Sequence, residues 1–173
     1  MLSEKASKVK LMLLDVDGVM TDGCIAMNDR GEETKIFNVK DGLGLKMLMS
    51  SGVEAVILTG RRSQVLTLRA KELGIEEVYQ GVKDKKALCK QLKEVKGLMK
   101  EQVCSLGDDL PDLGMFMESG LSIAVADAVK EVREAADFIT KSKGGRGAVR
   151  EACELILKSQ SIWRGVLAAF TRK

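Results

Sequence analysis

Val9-Lys10-Leu11-Met12-Leu13-Leu14-Asp15-Val16-Asp17-Gly18-Val19 is the stretch on which the reading of this chain turns. Residues 9–14, apolar but for Lys10, form a run of strand length, and the run stops at two aspartates and a glycine. An apolar strand that ends abruptly in carboxylates is the pattern of a buried strand delivering polar groups to one edge of a sheet. Gly18 permits the chain to turn away from the strand at that point.

The same rhythm continues downstream. Residues 54–58, 77–79, 103–106 and 121–125 read as further strands, and 43–51, 63–73, 85–98, 113–118 and 148–158 as helices. Gly52 and Gly74 stand where helix C-terminal glycines belong. Within 85–98, Leu88, Leu92 and Val95 mark a buried stripe, while Lys86, Lys90 and Lys93 mark a solvated face. Strands alternating with helices predict the α/β class: a Rossmann-like parallel sheet with helices on both faces. One segment breaks the rhythm. Residues 24–27 and 34–39 flank a turn-rich Asn28-Asp29-Arg30-Gly31, which predicts an inserted β-hairpin over about 24–39. Without repeats or linkers, residues 1–173 read as a single domain. A C-terminal tail over about 159–173 is apolar but too short for a core of its own.

Composition narrows the function. A chain of 173 residues can bury roughly 70% of the surface its unfolded form exposes. Net charge is only +3, and one Trp, one Tyr and four Phe offer little for base stacking, so nucleic acid is not an expected partner. No apolar stretch reaches membrane-spanning length, and no secretory signal opens the sequence, which reads as cytoplasmic. The four cysteines, Cys24, Cys89, Cys104 and Cys153, form no C-x-x-C pair and read as buried reduced thiols. The chain has no histidine. Imidazole bases, Ser-His or Cys-His nucleophiles and histidine metal sites are thereby excluded.

Ligands of open α/β sheets bind beyond the carboxyl ends of the strands, and the polar clusters fall there. Asp15 and Asp17 follow the first strand, Thr59-Gly60-Arg61 the second, Lys85 the third, and Gly107-Asp108-Asp109 with Asp112 the fourth. Two carboxylates ~4 Å apart repel by ~4 kcal/mol at an effective dielectric of ~20, so this cluster needs a counterion. Oxygen donors without imidazole or thiolate select a hard cation, Mg²⁺ above all, which suits phosphoryl transfer. A calcium loop over 15–21 is rejected, because Val19 and Met20 occupy positions where that loop needs a ligand and its glycine.

Asp15-Val16-Asp17-Gly18-Val19, Leu58-Thr59-Gly60-Arg61, Lys85 and Gly107-Asp108-Asp109-Leu110-Pro111-Asp112 resemble, in order, the four motifs of the haloacid dehalogenase superfamily. The resemblance implies that Asp15 is a nucleophile forming an aspartyl-phosphate and that Asp17 is the general acid/base facing the substrate. Thr59 and Lys85 would hold the phosphoryl oxygens. Mg²⁺ would bind the Asp15 carboxylate, the Asp17 backbone carbonyl and Asp108, with Asp109 and Asp112 supporting. The intervals between motifs leave no room for a cap domain, and capless members with small substrates usually close the site with a neighbouring subunit.

Phe37-Asn38-Val39-Lys40-Asp41-Gly42, the helix over 61–69 and Gly144-Gly145-Arg146-Gly147-Ala148-Val149-Arg150-Glu151 extend the likeness to the 3-deoxy-D-manno-octulosonate 8-phosphate phosphatase family. That family is tetrameric and acts in lipopolysaccharide sugar synthesis. There, residues matching Asn38, Val39, Lys40, Asp41 and Gly42, and cations matching Lys46, Arg61, Arg69 and Lys85, contact substrate. Lys46 stands where the family often has arginine. Arg146 adds a further cation from the glycine-rich stretch. So many cations, beyond what one phosphate uses, fit a substrate with a second anion, a carboxylate. Other readings remain open at this point: a nine-carbon sialic-type 9-phosphate as substrate, a catalytically silent copy of the fold, or a phosphoryl-accepting receiver. The 144–147 stretch also reads as a plain helix start, Arg69 as an ordinary exposed residue, and Trp163 and Phe170 as side chains packed against protein.

Overall fold

In the computed structural model, which describes residues 1–171, the chain begins with α1 (Leu2–Ser7), β1 (Leu11–Leu14) and a hairpin of β2 (Ala26–Met27) and β3 (Glu33–Thr34). It continues through α2 (Val39–Ser50), β4 (Glu54–Thr59), α3 (Gln64–Leu73), β5 (Glu77–Gln80), α4 (Lys85–Lys96) and β6 (Val103–Gly107). The last elements are α5 (Leu113–Glu118), β7 (Leu121–Ala124), α6 (Lys130–Ala135), β8 (Phe138–Ile139), α7 (Ala148–Ser159) and α8 (Trp163–Thr171). Six strands form one parallel sheet in the order β5-β4-β1-β6-β7-β8, and β2-β3 pair antiparallel beside it.

All four residues of β1 are buried, as a strand covered on both faces must be. Met12 and Leu14 pack with Leu45 and Leu48 of α2 and Val149 and Ile156 of α7. Leu11 and Leu13 face the other way, onto Cys89 and Leu92 of α4 and Met115 of α5. The period of two thus fills two separate layers. Register does the rest: Leu14 lies level with Ile57 of β4 and Leu106 of β6, so these strands end at one edge. The Asp15 N–H extends the ladder onto the Leu106 carbonyl at 3.2 Å.

The sheet, the two helical layers and the hairpin agree with the sequence reading, and there is no cap domain among the described residues. Several details differ. The hairpin strand expected over 34–39 ends at Thr34, because Asn38 caps α2. Its side-chain oxygen accepts from the Lys40 and Asp41 N–H groups at 2.8 and 3.4 Å, so the helix begins at Val39 instead of residue 43. The sixth strand β8 and the short helices α1 and α6 are too brief to show a period. Cys24 is exposed on the loop entering the hairpin, not buried. Val95 is 78% exposed, because the buried stripe of α4 runs through Lys85, Cys89 and Leu92. Lys93, expected on the solvated face, is half-buried against Glu118 at 2.6 Å. In the tail, Trp163 packs beneath Lys158 and Arg150, whereas Phe170 is 61% exposed. Arg172 and Lys173, the end of the expected tail, lie outside the described residues.

The join between α2 and α7 rests on one buried carboxylate. Gly147, with φ +109°, precedes α7 and has no side chain to cap it. Asp41 of α2 supplies the cap instead, accepting from Gly147 N–H at 3.2 Å and Arg150 N–H at 2.8 Å. Burial pushes the Asp41 carboxyl up, and these two donors oppose that push. Asp41→Ala leaves both donors unmatched and should lower unfolding free energy by about 2 kcal/mol in a urea titration. An unchanged midpoint would show that water replaces the cap freely.

Candidate active site

The loops that leave β1, β4 and β6 and the start of α4 line one cavity of about 420 Å³. Asp15, Asp17, Thr59, Arg61, Lys85, Asp108 and Asp109 are on its wall, joined by Lys83, which the sequence reading passed over. The turn after β1 fits tightly against the loop after β6. Gly18 has φ +89°, and a Cβ there would land on the Asp108 carboxylate. Gly144 is equally close to the Gly18 carbonyl, so the glycine-rich stretch buttresses this turn.

Lys85 opens α4 and is buried. A cation at a helix N-terminus opposes the helix dipole, and one taken out of water needs partners. Its Nζ donates to Asp112 Oδ1 at 2.6 Å and lies 3.0 Å from Asp15 Oδ1. Burial alone would lower its pKa, but the Asp112 and Asp15 carboxylates hold it above the usual lysine range. Asp112 is fully buried and fully used, since its Oδ2 accepts from the Asp108 and Asp109 N–H groups at 2.9 and 3.3 Å. Asp109 turns its own carboxylate onto the Leu110 N–H at 2.8 Å. Thr59 is buried, and its Oγ1 accepts from the Arg61 N–H at 3.3 Å.

Crowding shows in the titration of the carboxylates. Burial and the Asp112 charge, against the pull of Lys85, push Asp15 up to about 6. Burial and the Asp112, Asp15 and Asp109 charges push Asp108 up to about 8. Oxygens of Asp15, Asp108 and Asp112 lie within 4.8 Å of one another. Asp108 Oδ1 is buried with no hydrogen bond made to it, and Asp15 Oδ1 has only the Lys85 ammonium beside it. Two such oxygens in an all-oxygen site fit a hard divalent cation, held by Asp15 and Asp108, with Asp112 committed to Lys85 and the loop.

The hairpin adds a second ionic cluster that the sequence reading missed. Lys35 Nζ bonds Asp17 Oδ1 and lies 3.3 Å from Glu33 Oε1. Arg61 bonds Glu33 Oε1 at 2.6 Å and approaches Asp17 Oδ2 at 3.8 Å. The signal was present as alternation: Glu33, Lys35 and Phe37 turn inward while Thr34 and Ile36 turn out. The remaining sequence candidates do not line the cavity. Asn38 and Asp41 serve as caps, Val39 and Lys40 are exposed, and Gly42 is buried where a Cβ would strike Arg69. Arg69 stacks over Phe37 at 5.7 Å and bonds Glu72 at 2.8 Å, and the charge of Lys46 also acts on Glu72. Arg146 is exposed and pairs with Asp22 at 3.3 Å.

A raised carboxylate means the folded state keeps a proton that the unfolded state releases, so stability falls as pH rises between the two pKa values. Chelator-treated protein should therefore lose stability from the ordinary carboxylate range up through about 6, for Asp15, and to about 8, for Asp108. Mg²⁺ should flatten that slope and add about 2.7 kcal/mol at a hundredfold excess over Kd, read by thermal melts. Identical pH profiles with chelator and with Mg²⁺ would contradict a cation at these carboxylates.

Residues 70–152 match the haloacid dehalogenase-like hydrolase family. A 3-deoxy-D-manno-octulosonate 8-phosphate phosphatase from Yersinia pestis is 46% identical over 162 residues, covering 94% of this chain and 87% of that protein. The crystal structure of the phosphatase of that name from Moraxella catarrhalis, in complex with a magnesium ion, a phosphate ion and a KDO molecule, has a TM-score of 0.96 at 44% identity, covering 98% of each chain. The cobalt-bound phosphatase from Haemophilus influenzae has a TM-score of 0.87 at 41% identity, covering 91% of this chain and 92% of that one. Identity at this level over nearly the whole length, on the same fold, means that the chain belongs to the 3-deoxy-D-manno-octulosonate 8-phosphate phosphatase family of haloacid dehalogenase-like hydrolases.

Proposed function

We propose that this chain hydrolyses 3-deoxy-D-manno-octulosonate 8-phosphate to the free sugar acid and phosphate, with Mg²⁺ as cofactor. The observation that carries the reading is the convergence of Asp15, Asp17, Thr59, Lys85 and Asp108 on one cavity. Asp15, Asp108 and the Asp17 backbone carbonyl would hold Mg²⁺, which would supply charge that neutralises the phosphate. Asp15 is the nucleophile, and its carboxylate forms an aspartyl-phosphate. Lys85, kept charged by Asp112, balances the phosphoryl oxygens, and Thr59 donates its hydroxyl to them. Asp17 gives a proton to the leaving sugar oxygen and then takes one from the attacking water.

Substrate choice follows from charge at the mouth. Arg61 and Lys83 are the cavity cations not committed to Asp15, and their exposure leaves them open to a carboxylate. In an assay of released phosphate with Mg²⁺, a 2-keto sugar acid phosphate should exceed hexose phosphates by about tenfold in kcat/KM per charge-assisted contact. Asp15→Asn, run alongside, should be inactive but folded. Retention of a tenth of wild-type turnover would overturn Asp15 as nucleophile, and parity among the sugars would overturn the sugar-acid assignment.

Assembly is part of the proposal. Ile25, Met27, Ile36, Val39 and Leu43 are exposed on and beside the hairpin, and exposed apolar side chains grouped in this way mark an interaction surface. A second copy of this chain is the natural cover. Light scattering should give a homotetramer, and Ile36→Lys should dissociate it. A fully active monomer at micromolar concentration would contradict both.

A further inference from the structure

Lys35 is a buried charge in the least buried part of the fold. Its side chain is 3% exposed, although the next residue, Ile36, is 74% exposed. An ammonium taken out of water is costly unless paired, and no core contact requires one here. Its partners are Asp17 Oδ1 and, at 3.3 Å, Glu33 Oε1. Glu33 is anchored in turn: the Ser63 hydroxyl, with Lys35 and Arg61, holds its carboxyl below the usual range. The two oxygens of Asp17 are therefore unlike. Oδ1 is bonded, whereas Oδ2 is buried with no hydrogen-bond partner and Arg61 Nε stays 3.8 Å away.

We infer that Lys35 is the positioning residue of the acid/base, pinning Asp17 Oδ1 so that Oδ2 alone handles the proton. The inference rests on the phosphatase reading above. In the first half-reaction the Asp15 carboxylate bonds to phosphorus, the bond from phosphorus to the sugar oxygen breaks, and the proton on Asp17 Oδ2 goes to that oxygen. In the second, water bonds to phosphorus, its proton returns to Asp17 Oδ2, and the bond to Asp15 breaks, which regenerates both side chains. An acid/base held by one oxygen keeps its other oxygen aimed through both steps. The hairpin thus completes the catalytic apparatus as well as shielding it.

Leaving-group chemistry separates this role from a structural tether. p-Nitrophenolate departs without a proton, and a sugar alkoxide does not. With excess p-nitrophenyl phosphate and Mg²⁺, Lys35→Met should release the first equivalent of p-nitrophenolate within about threefold of the wild-type rate. Its later turnovers, and even its first turnover of the sugar-acid phosphate, should slow by about 10²-fold, as a misplaced catalytic group does. Lys35→Arg should recover most of that loss. If circular dichroism shows Lys35→Met unfolded, Lys35→Gln is run on the same two esters, with the same split expected. Equal losses on both first turnovers, or no loss on either, overturn the positioning role while leaving the phosphatase intact. Wild-type protein inert on both esters overturns the phosphatase reading and this inference with it.

Discussion

Three carboxylates share a single buried ammonium at the centre of this molecule, and much of the surrounding chain is arranged to make that tolerable. Asp15, Asp108 and Asp112 lie close together, with Lys85 set between Asp15 and Asp112. One positive charge against three negative ones leaves two unbalanced, which is the charge of a divalent cation. Protons take its place when it is missing, and the upward displacement of Asp15 and Asp108 expresses that competition. The backbone obeys the same constraint. Gly18 and Gly107 are bare because the carboxylates of Asp108 and Asp112 fill the space a Cβ would take.

The hairpin reverses the usual polarity of a surface ribbon. Charged Glu33 and Lys35 turn toward the protein, and apolar Ile36, Met27 and Ile25 turn toward solvent. Inside, the charges meet Asp17 and Arg61, so a pair of two-residue strands is tied to the site by ion pairs. Its root is fastened by packing: Phe37 lies under Arg69, and Arg69 reaches it because Gly42 has no side chain in the way.

Most of the parallel sheet and the carboxylates gathered at its edge were legible in the sequence because both are local. A buried strand is a short apolar run, and its edge carboxylates follow within three residues, as Asp15 and Asp17 follow Leu14. Side chains whose meaning depends on distant partners were not legible. Asp41 reads as a ligand-binding carboxylate, yet it caps a helix more than a hundred positions away. Asp112 reads as a member of a metal cluster, yet its three hydrogen bonds go to Lys85 and two backbone amides. Lys35 has no motif around it, and only its place in an alternating strand distinguishes it from the other lysines. Val95 obeyed the helical spacing but lay on the wrong edge of the stripe, where a period of 3.6 and a count of three or four diverge.

The ring joining the hairpin to the site has a dry side and a wet side. Lys35 is 3% exposed at one contact, and Arg61 is 39% exposed at the other. Dissolved ions screen exposed pairs over ~8 Å at physiological strength and hardly reach buried ones. Rising ionic strength therefore slackens Arg61 first and leaves Lys35 in place. The ribbon is thus held unevenly, firmly at the buried ammonium on Asp17 and loosely at the solvent edge.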